Sequence, residues 1–314
     1  MIVSDIPRHE LTRLMAGPGL SVRTGPVVAR IRSHLPAVVQ GVALHYGQHP
    51  VVAGDDFANF HVTVDRPAGL RRWFGRQVVF VHDGQAPFTP LPGDQGFPLL
   101  EWGLNWCMYT LCDQFLTMHS AVLEKGGRAV IMPAPSGSGK STLCAGLAFR
   151  GWRLLSDELA LLDLDTGLLV PNPRPISLKN RSIDVVRTHA PNAIFGPVVH
   201  DTLKGSVAHV RPPADAVAHV AERVPPAWII FPTYRADAPA TLTRLPRAQA
   251  FMKLMGQTFN YAVHGREGFA AMADLIEACD CYDFSYSQLD EAVALFDRLA
   301  GPGAENARHA SESP

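Results

Sequence analysis

The chain has 314 residues, of which 47% are hydrophobic and 18% charged, so it is long enough for about two domains and too apolar for a disordered protein. Its formal net charge of −1 gives no bulk attraction to nucleic acid or to an anionic membrane, and neither is expected as a partner. No apolar run reaches the roughly 18 residues that a membrane-spanning helix needs.

The two ends of the chain and its cysteines bear on the compartment. Residues 1–13 are too charged for a secretory signal peptide. The five cysteines form no C-x-x-C pair, which favours reduced thiols and a cytoplasmic protein. Residues 301–314 are small and polar, and we expect a disordered tail there.

Residues 1–115 are predicted to form a divergent N-terminal domain that is β-rich and of the α+β class. Short apolar runs such as 27–31 and 78–81 are separated by clusters of proline, glycine and aspartate. The apolar positions from Leu99 to Leu116 have helical spacing and predict a helix at the end of this region.

Residues 116–300 are predicted to form a second domain of the α/β class with a mixed sheet. Two strands are expected at 118–123 and 128–132, joined by a tight turn at Gly126 and Gly127, and a helix and another strand follow. The stretch 192–211 carries glycine, proline and polar groups and is expected to be irregular.

The strongest motif is the segment from 134 to 142, which reads Ala-Pro-Ser-Gly-Ser-Gly-Lys-Ser-Thr between a predicted strand and a predicted helix. This order is typical of a phosphate-binding P-loop, in which backbone N–H groups and the amino end of the helix surround an anion. Lys140 is then expected to contact the β- and γ-phosphates of ATP, and the Ser141 hydroxyl to hold Mg²⁺. The predicted nucleotide-binding residues are Ser136, Gly137, Ser138, Gly139, Lys140, Ser141 and Thr142. The alternative is a chance glycine turn before an ordinary helix.

An acidic pair follows the next predicted strand. Asp157 and Glu158 stand soon after the P-loop lysine, where a carboxylate could contact Mg²⁺ or accept a proton from an attacking hydroxyl. His119 lies on the strand before the loop strand and is a further candidate. The alternatives are a solvated acidic turn and a structural histidine. Candidate phosphate or substrate contacts, each of which could instead be a surface charge, are Lys179, Lys204, His209, Arg211 and Arg174.

Three segments together resemble the catalytic core of HPr kinase/phosphorylase: 118–122, the P-loop, and 150–158 with its Arg-Gly step and acidic pair. Their order and spacing match over about 45 residues. Two departures are Ala134 in place of the first loop glycine and Thr142 where the bifunctional enzymes usually have glutamate. The downstream Glu-Arg-Gly signature of those enzymes was not found. The closer resemblance is to the HPr kinase-related proteins, which carry this core on a divergent N-terminal region.

The resemblance implies a nucleotide-binding core like that of phosphoenolpyruvate carboxykinase. It implies that Ser136 to Thr142 bind the phosphates of ATP and Mg²⁺, and that Asp157 is the base that deprotonates a substrate hydroxyl. Glu158 would assist the metal, and His119 would lie near the transferred phosphate. HPr kinases form hexamers, so a homo-oligomer is one expectation.

Three functions remain open from the sequence. The first is an ATP-dependent kinase whose acceptor is a serine-type hydroxyl of a protein, a peptide or a small molecule. The second is a nucleotide-dependent regulatory or binding module without efficient phosphate transfer. The third is a plain ATPase, which is less favoured because no water-positioning glutamine and no late acidic strand is visible.

Overall fold

A computed structural model of the chain describes residues 1–53, 57–67 and 76–301, and the tail predicted at 301–314 lies outside the described residues except for Gly301. The described part is an α/β structure whose sheets are two mixed and one antiparallel. Its helices are α1 (Arg8–Ala16), α2 (Pro36–His45), α3 (Gly96–Leu111), α4 (Lys140–Ala148), α5 (Arg181–His189), α6 (Ala214–Ala218), α7 (Arg247–Met255), α8 (Tyr261–Ala278) and α9 (Leu289–Ala300).

The strands alternate with these helices along the chain. They are β1 (Leu20–Thr24), β2 (Val27–Arg32), β3 (Phe60–Asp65), β4 (Gln77–His82), β5 (Leu91–Pro92), β6 (Phe115–Lys125), β7 (Arg128–Pro133), β8 (Arg153–Ser156), β9 (Leu159–Asp163), β10 (Ile176–Lys179), β11 (Val199–Thr202), β12 (Gly205–Val210), β13 (Pro226–Tyr234), β14 (Thr241–Arg244) and β15 (Asp280–Tyr286).

The chain divides into two compact units. Unit 1 contains Met1–Asp113, Val170–Asp184 and Asn192–Glu222, and unit 2 contains Gln114–Leu169, Val185–Pro191 and Arg223–Pro314. The first break falls close to the predicted boundary at 115/116. The two later segments of unit 1 lie in the region that the sequence assigned to the second domain.

The stretch expected to be irregular at 192–211 is so only at 192–198, and the expectation was wrong for the rest. It contains β11 and β12, which pair antiparallel, and β12 also pairs with β10 to complete a three-stranded sheet in unit 1. Gly205, whose φ is +81°, lies at the turn of the hairpin. Strand β11 is short and polar, so it lacks the alternation of apolar and polar residues that predicts a strand.

Unit 1 also has a five-stranded sheet in the order β1-β2-β3-β4-β5 and several buried polar residues. The Tyr46 hydroxyl donates a hydrogen bond of 2.6 Å to the Glu101 carboxylate, and Arg174 lies 3.7 Å from the same carboxylate. The His49 Nε2–H donates to the Pro173 carbonyl at 2.9 Å. Burial lowers the pKa of His49 to about 4, so this imidazole is neutral near pH 7.

Unit 2 is built on a seven-stranded sheet with the order β14-β15-β13-β7-β6-β8, in which β9 also pairs with β6. Strands β7, β13 and β15 are parallel, whereas β6 runs antiparallel to β7, β8 and β9. The carboxyl ends of the three parallel strands therefore meet at one edge of the sheet, which is where the loop after β7 begins.

Both faces of this sheet are covered. Ala129 and Ile131 of β7 pack in a cluster with residues of α7 and α8, among them Leu254 and Met272. The alternate positions of β7 are equally buried and point to the opposite face, where α4 packs on β6 and α9 on β15. A sheet covered on both sides explains the nearly continuous apolar runs that predicted its strands.

Within the described ranges, the helices are all too short or too polar to cross a membrane.

Candidate functional site

The glycine loop, which we define as residues 134–139, connects β7 to α4. Gly137 and Gly139 have φ values of +89° and +90°, a backbone region that side chains with a Cβ rarely adopt. Ala134, which stands where a P-loop has its first glycine, is buried. The sequence therefore places glycine at the two loop positions where the backbone requires it.

Two tyrosines hold the glycine loop in place. The backbone N–H of Tyr234 donates to the Ser138 carbonyl, and the Tyr286 hydroxyl donates to the Gly139 carbonyl, both at 2.8 Å. These tyrosines are the last residues of β13, which lies beside β7, and of β15, which lies beside β13. Burial raises the pKa of the Tyr286 hydroxyl, so it stays protonated and remains a donor. The loop carbonyls are thus fixed by neighbouring strands.

Lys140 is the first residue of α4 and is only 5% exposed. A lysine at this position lies at the positive end of the helix dipole, so its ammonium and the helix end both favour an anion in front of the loop. The next two residues, Ser141 and Thr142, are half-buried, and Ser136 and Gly137 are exposed. The predicted phosphate-binding residues are therefore contiguous around one helix start.

The acidic pair lies at an interruption in the strand pairing. Strands β8 and β9 run one after the other along β6, which pairs Val122 with Ser156 and His119 with Leu159. Asp157 and Glu158 occupy the gap between the two strands, opposite the middle of β6. On its other side, β6 pairs Ser120 with Pro133, the last residue before the glycine loop. One strand therefore brings the acidic pair and the glycine loop to the same part of the sheet.

His119 contacts the acidic pair directly. Its Nε2 lies 3.2 Å from the Glu158 carboxylate, and the next residue, Ser120, donates its N–H to the Glu158 carbonyl at 3.1 Å. The backbone N–H of His119 donates to the Gln257 carbonyl at 2.7 Å. Both His119 and Glu158 are partly exposed. This pair is therefore open to a ligand.

Asp157 is 3% exposed, and its charge and that of Lys140 both act on the Cys144 thiol. Burial is the main reason why the pKa of Cys144 is well above its usual value. The negative charges of Asp157 and Glu158 raise this pKa further, and the positive charge of Lys140 lowers it. The loop lysine and both carboxylates therefore share one small region around α4.

Three residues of this region were not predicted from the sequence. Cys144 stands four residues after Lys140 on α4, so helical spacing could have placed it on the lysine's side. Tyr234 and Tyr286 gave no local signal, since Tyr286 reaches the loop from 147 residues away in the chain.

The other candidate cations belong to a different unit of the chain. Arg174, Lys179, Lys204, His209 and Arg211 all belong to unit 1, whereas the glycine loop and the acidic pair belong to unit 2. Arg174 and His209 are buried. Lys204 lies 5.3 Å from the centre of the Trp102 ring.

The residues predicted to hold a metal provide oxygen donors. The Ser141 hydroxyl and the Glu158 carboxylate are ligands of the type that Mg²⁺ prefers, and Mg²⁺ usually takes only one or two protein ligands beside substrate phosphates and water. In the part of the chain that the structure describes, no group of three or more His, Cys, Asp or Glu side chains could hold a metal ion. The donor chemistry therefore fits a Mg²⁺ ion bound together with phosphates.

A scan of the chain against known protein families and a search of curated proteins both find no match.

Proposed function

We propose that the protein is an ATP-dependent kinase that transfers the γ-phosphate of ATP to a serine-type hydroxyl. One observation carries the proposal: β6 pairs on one side with the strand that leads into the glycine loop and the buried Lys140, and on the other side with the strand that precedes the buried Asp157. Phosphate transfer needs few covalent steps from the protein and depends on positioning and charge stabilisation, which this arrangement supplies.

The loop residues would bind the phosphates of ATP. The N–H groups around Gly137 and Gly139 and the amino end of α4 favour the anion, and the Lys140 ammonium would offset the charge that develops on the γ-phosphate. The Ser141 hydroxyl and the Glu158 carboxylate would hold Mg²⁺. The ion, when bound, neutralises part of the phosphate charge.

Asp157 would act as the base toward the acceptor hydroxyl. A general base must have its carboxylate within hydrogen-bond reach of the proton that it takes. Asp157 is buried, and both its charge and that of Lys140 act on the Cys144 thiol. His119, which contacts Glu158, would hold that carboxylate in position and lie near the transferred phosphate.

The proposal includes a fold for unit 2, namely a nucleotide-binding core of the HPr kinase type. A core like those of HPr kinase and phosphoenolpyruvate carboxykinase accounts for a histidine on the strand before the loop strand and for an acidic pair soon after α4. In this proposal unit 2 is the catalytic part, the protein acts in the cytoplasm, and the acceptor is a protein, a peptide or a small molecule.

Transfer of label from γ-labelled ATP, with Mg²⁺, to a lysate of the source cell and to free serine would test the proposal. We expect a labelled acceptor with the wild type and with Asp163→Asn, a matched control in which Asp163 pairs with Arg223 away from the loop. We expect no labelled acceptor with Asp157→Asn. ATP binding with no labelled acceptor from any of the three proteins would instead support a regulatory module.

A further inference from the structure

A cavity of about 700 Å³ lies in unit 2 along β14 and reaches the amino ends of β7, β13 and β15. It is lined by Arg128 and Asp280, the first residues of β7 and β15, and by Trp228 near the start of β13. Because β7 rises about 3.3 Å per residue over its six residues, Arg128 and the glycine loop are separated by roughly 20 Å, and no described residue that lines the cavity belongs to the loop. The cavity is therefore distinct from the proposed ATP site.

Positive charge dominates the lining of this cavity. Its arginines come from four different elements and are Arg128, Arg244, Arg247 and Arg298. Among the described residues, the carboxylates that line it are those of Glu277 and Asp280. A guanidinium carries five N–H donors in a planar fork that matches phosphate and carboxylate groups. Four such groups around one cavity favour a ligand with several negative charges.

Contacts in the walls orient several of these arginines. The Arg128 guanidinium lies 4.8 Å from the centre of the Trp228 ring, and Arg244 lies 3.5 Å from the Asp280 carboxylate. Arg247, at the amino end of α7, donates to the Glu277 carbonyl at 3.2 Å. Such contacts reduce the side-chain entropy that is lost when an anion binds.

A purely structural role would explain part of this pattern. Arg247 bonds a carbonyl in the last turn of α8, and Arg128 donates to the Ala300 carbonyl at the end of α9 at 3.4 Å. Basic side chains commonly stabilise helix carboxyl ends in this way. This role does not account for Arg244, which lies on β14, or for the convergence of all four arginines on one cavity.

We propose that this cavity binds a small ligand that carries two or more anionic groups, either phosphates or carboxylates. The site needs no ATP in the glycine loop, so the proposal stands or falls separately from the kinase function. Its ligand would contact arginines that lie on β7, β14, α7 and α9.

Isothermal titration of the full-length protein with pyrophosphate and, separately, with citrate tests this proposal and distinguishes phosphate from carboxylate ligands. The test variant is Arg244→Gln/Arg247→Gln, and both side chains lie at the surface. The control is Arg150→Gln/Arg223→Gln, which also removes two positive charges. These two arginines form surface ion pairs with Asp290 and Asp163. Circular dichroism of each variant checks that it is folded.

We expect at least one of the two anions to bind the wild type, and the test variant to weaken that binding by about tenfold or more. The control variant should change it by less than about twofold. Binding of neither anion, binding that the test variant leaves unchanged, or equal weakening in both double variants would overturn the proposal.

Discussion

Replacing Gly139 by alanine tests whether the glycine loop has the close packing that the structure shows. A Cβ at this position would lie 2.6 Å from the Tyr286 hydroxyl and 3.0 Å from the Cβ of Tyr234. The Tyr286 ring is buried and stacked on Phe284, with ring centres 5.2 Å apart, so it cannot simply rotate away. Gly137→Ala is the matched control, since its φ is nearly the same and no atom lies within 4 Å of its Cβ.

Both substitutions carry the energetic cost of a left-handed backbone, but only Gly139→Ala also carries a cost of overpacking. The left-handed backbone costs about 1–2 kcal/mol for alanine at either position. Overpacking at Gly139 adds about 1–3 kcal/mol and also disturbs the hydrogen bond from Tyr286. We therefore expect Gly139→Ala to lower the free energy of unfolding by about 2–5 kcal/mol and Gly137→Ala by about 1–2 kcal/mol.

Urea unfolding followed by circular dichroism measures this difference, with the midpoint and the slope compared between the variants. If the two variants lose the same stability, the contacts of Tyr234 and Tyr286 with the loop do not constrain it, and the reasoning is refuted.

Three further predictions concern stability away from the loop. Gly103→Ala should lower the melting temperature although alanine favours helices by about 1 kcal/mol, because its Cβ would lie 2.1 Å from the Phe80 ring; a raised melting temperature would contradict this. His49 has a pKa of about 4 when folded and near 6.5 when unfolded, so the unfolded state binds more protons between these values and stability falls as the pH drops from 6.5 toward 4. His49→Gln should flatten that part of a curve of unfolding free energy against pH, and an unchanged slope would be the contrary result. Trp152→Phe should lose about 1 kcal/mol in urea unfolding, because the indole N–H donates to Asp297 at 2.8 Å; no loss would show that solvent replaces this bond.

The elements around the glycine loop could be predicted because their signals are local. An apolar run before residue 134 and helical spacing after Lys140 are properties of a few neighbouring residues, and the structure has β7 and α4 there. The α/β class of the described chain follows from the same local patterns. The phosphate-binding role of the loop stays a prediction.

The pairing between distant segments could not be predicted in the same way. The hairpin β11–β12 depends on its pairing with β10, and the short polar β11 has little apolar alternation of its own. The grouping of Val170–Asp184 with unit 1 likewise depends on non-local contacts. Arg174 was a candidate phosphate ligand or surface charge, but it is buried beside Glu101, which stands 73 positions earlier in the chain.

The candidate site shows the same division. Local patterns predict the hairpin of β6 and β7 and the strand that follows α4. The pairing of these strands brings His119, which lies on β6, and Asp157 and Glu158, which follow β8, near the loop. The contact of Tyr286 with Gly139 requires β15 to lie beside β13, and no local pattern encodes that neighbour.

Calorimetric titration with Mg·ATP is the most direct test that the glycine loop is an ATP site. The proteins to compare are the wild type, Lys140→Ala and Asp157→Asn. We expect Lys140→Ala to weaken ATP binding by about 10- to 100-fold, because it removes a charge-assisted contact to phosphate, and Asp157→Asn to change it by only a few-fold. A wild type that does not bind Mg·ATP, or an affinity that is the same in Lys140→Ala, would contradict the account.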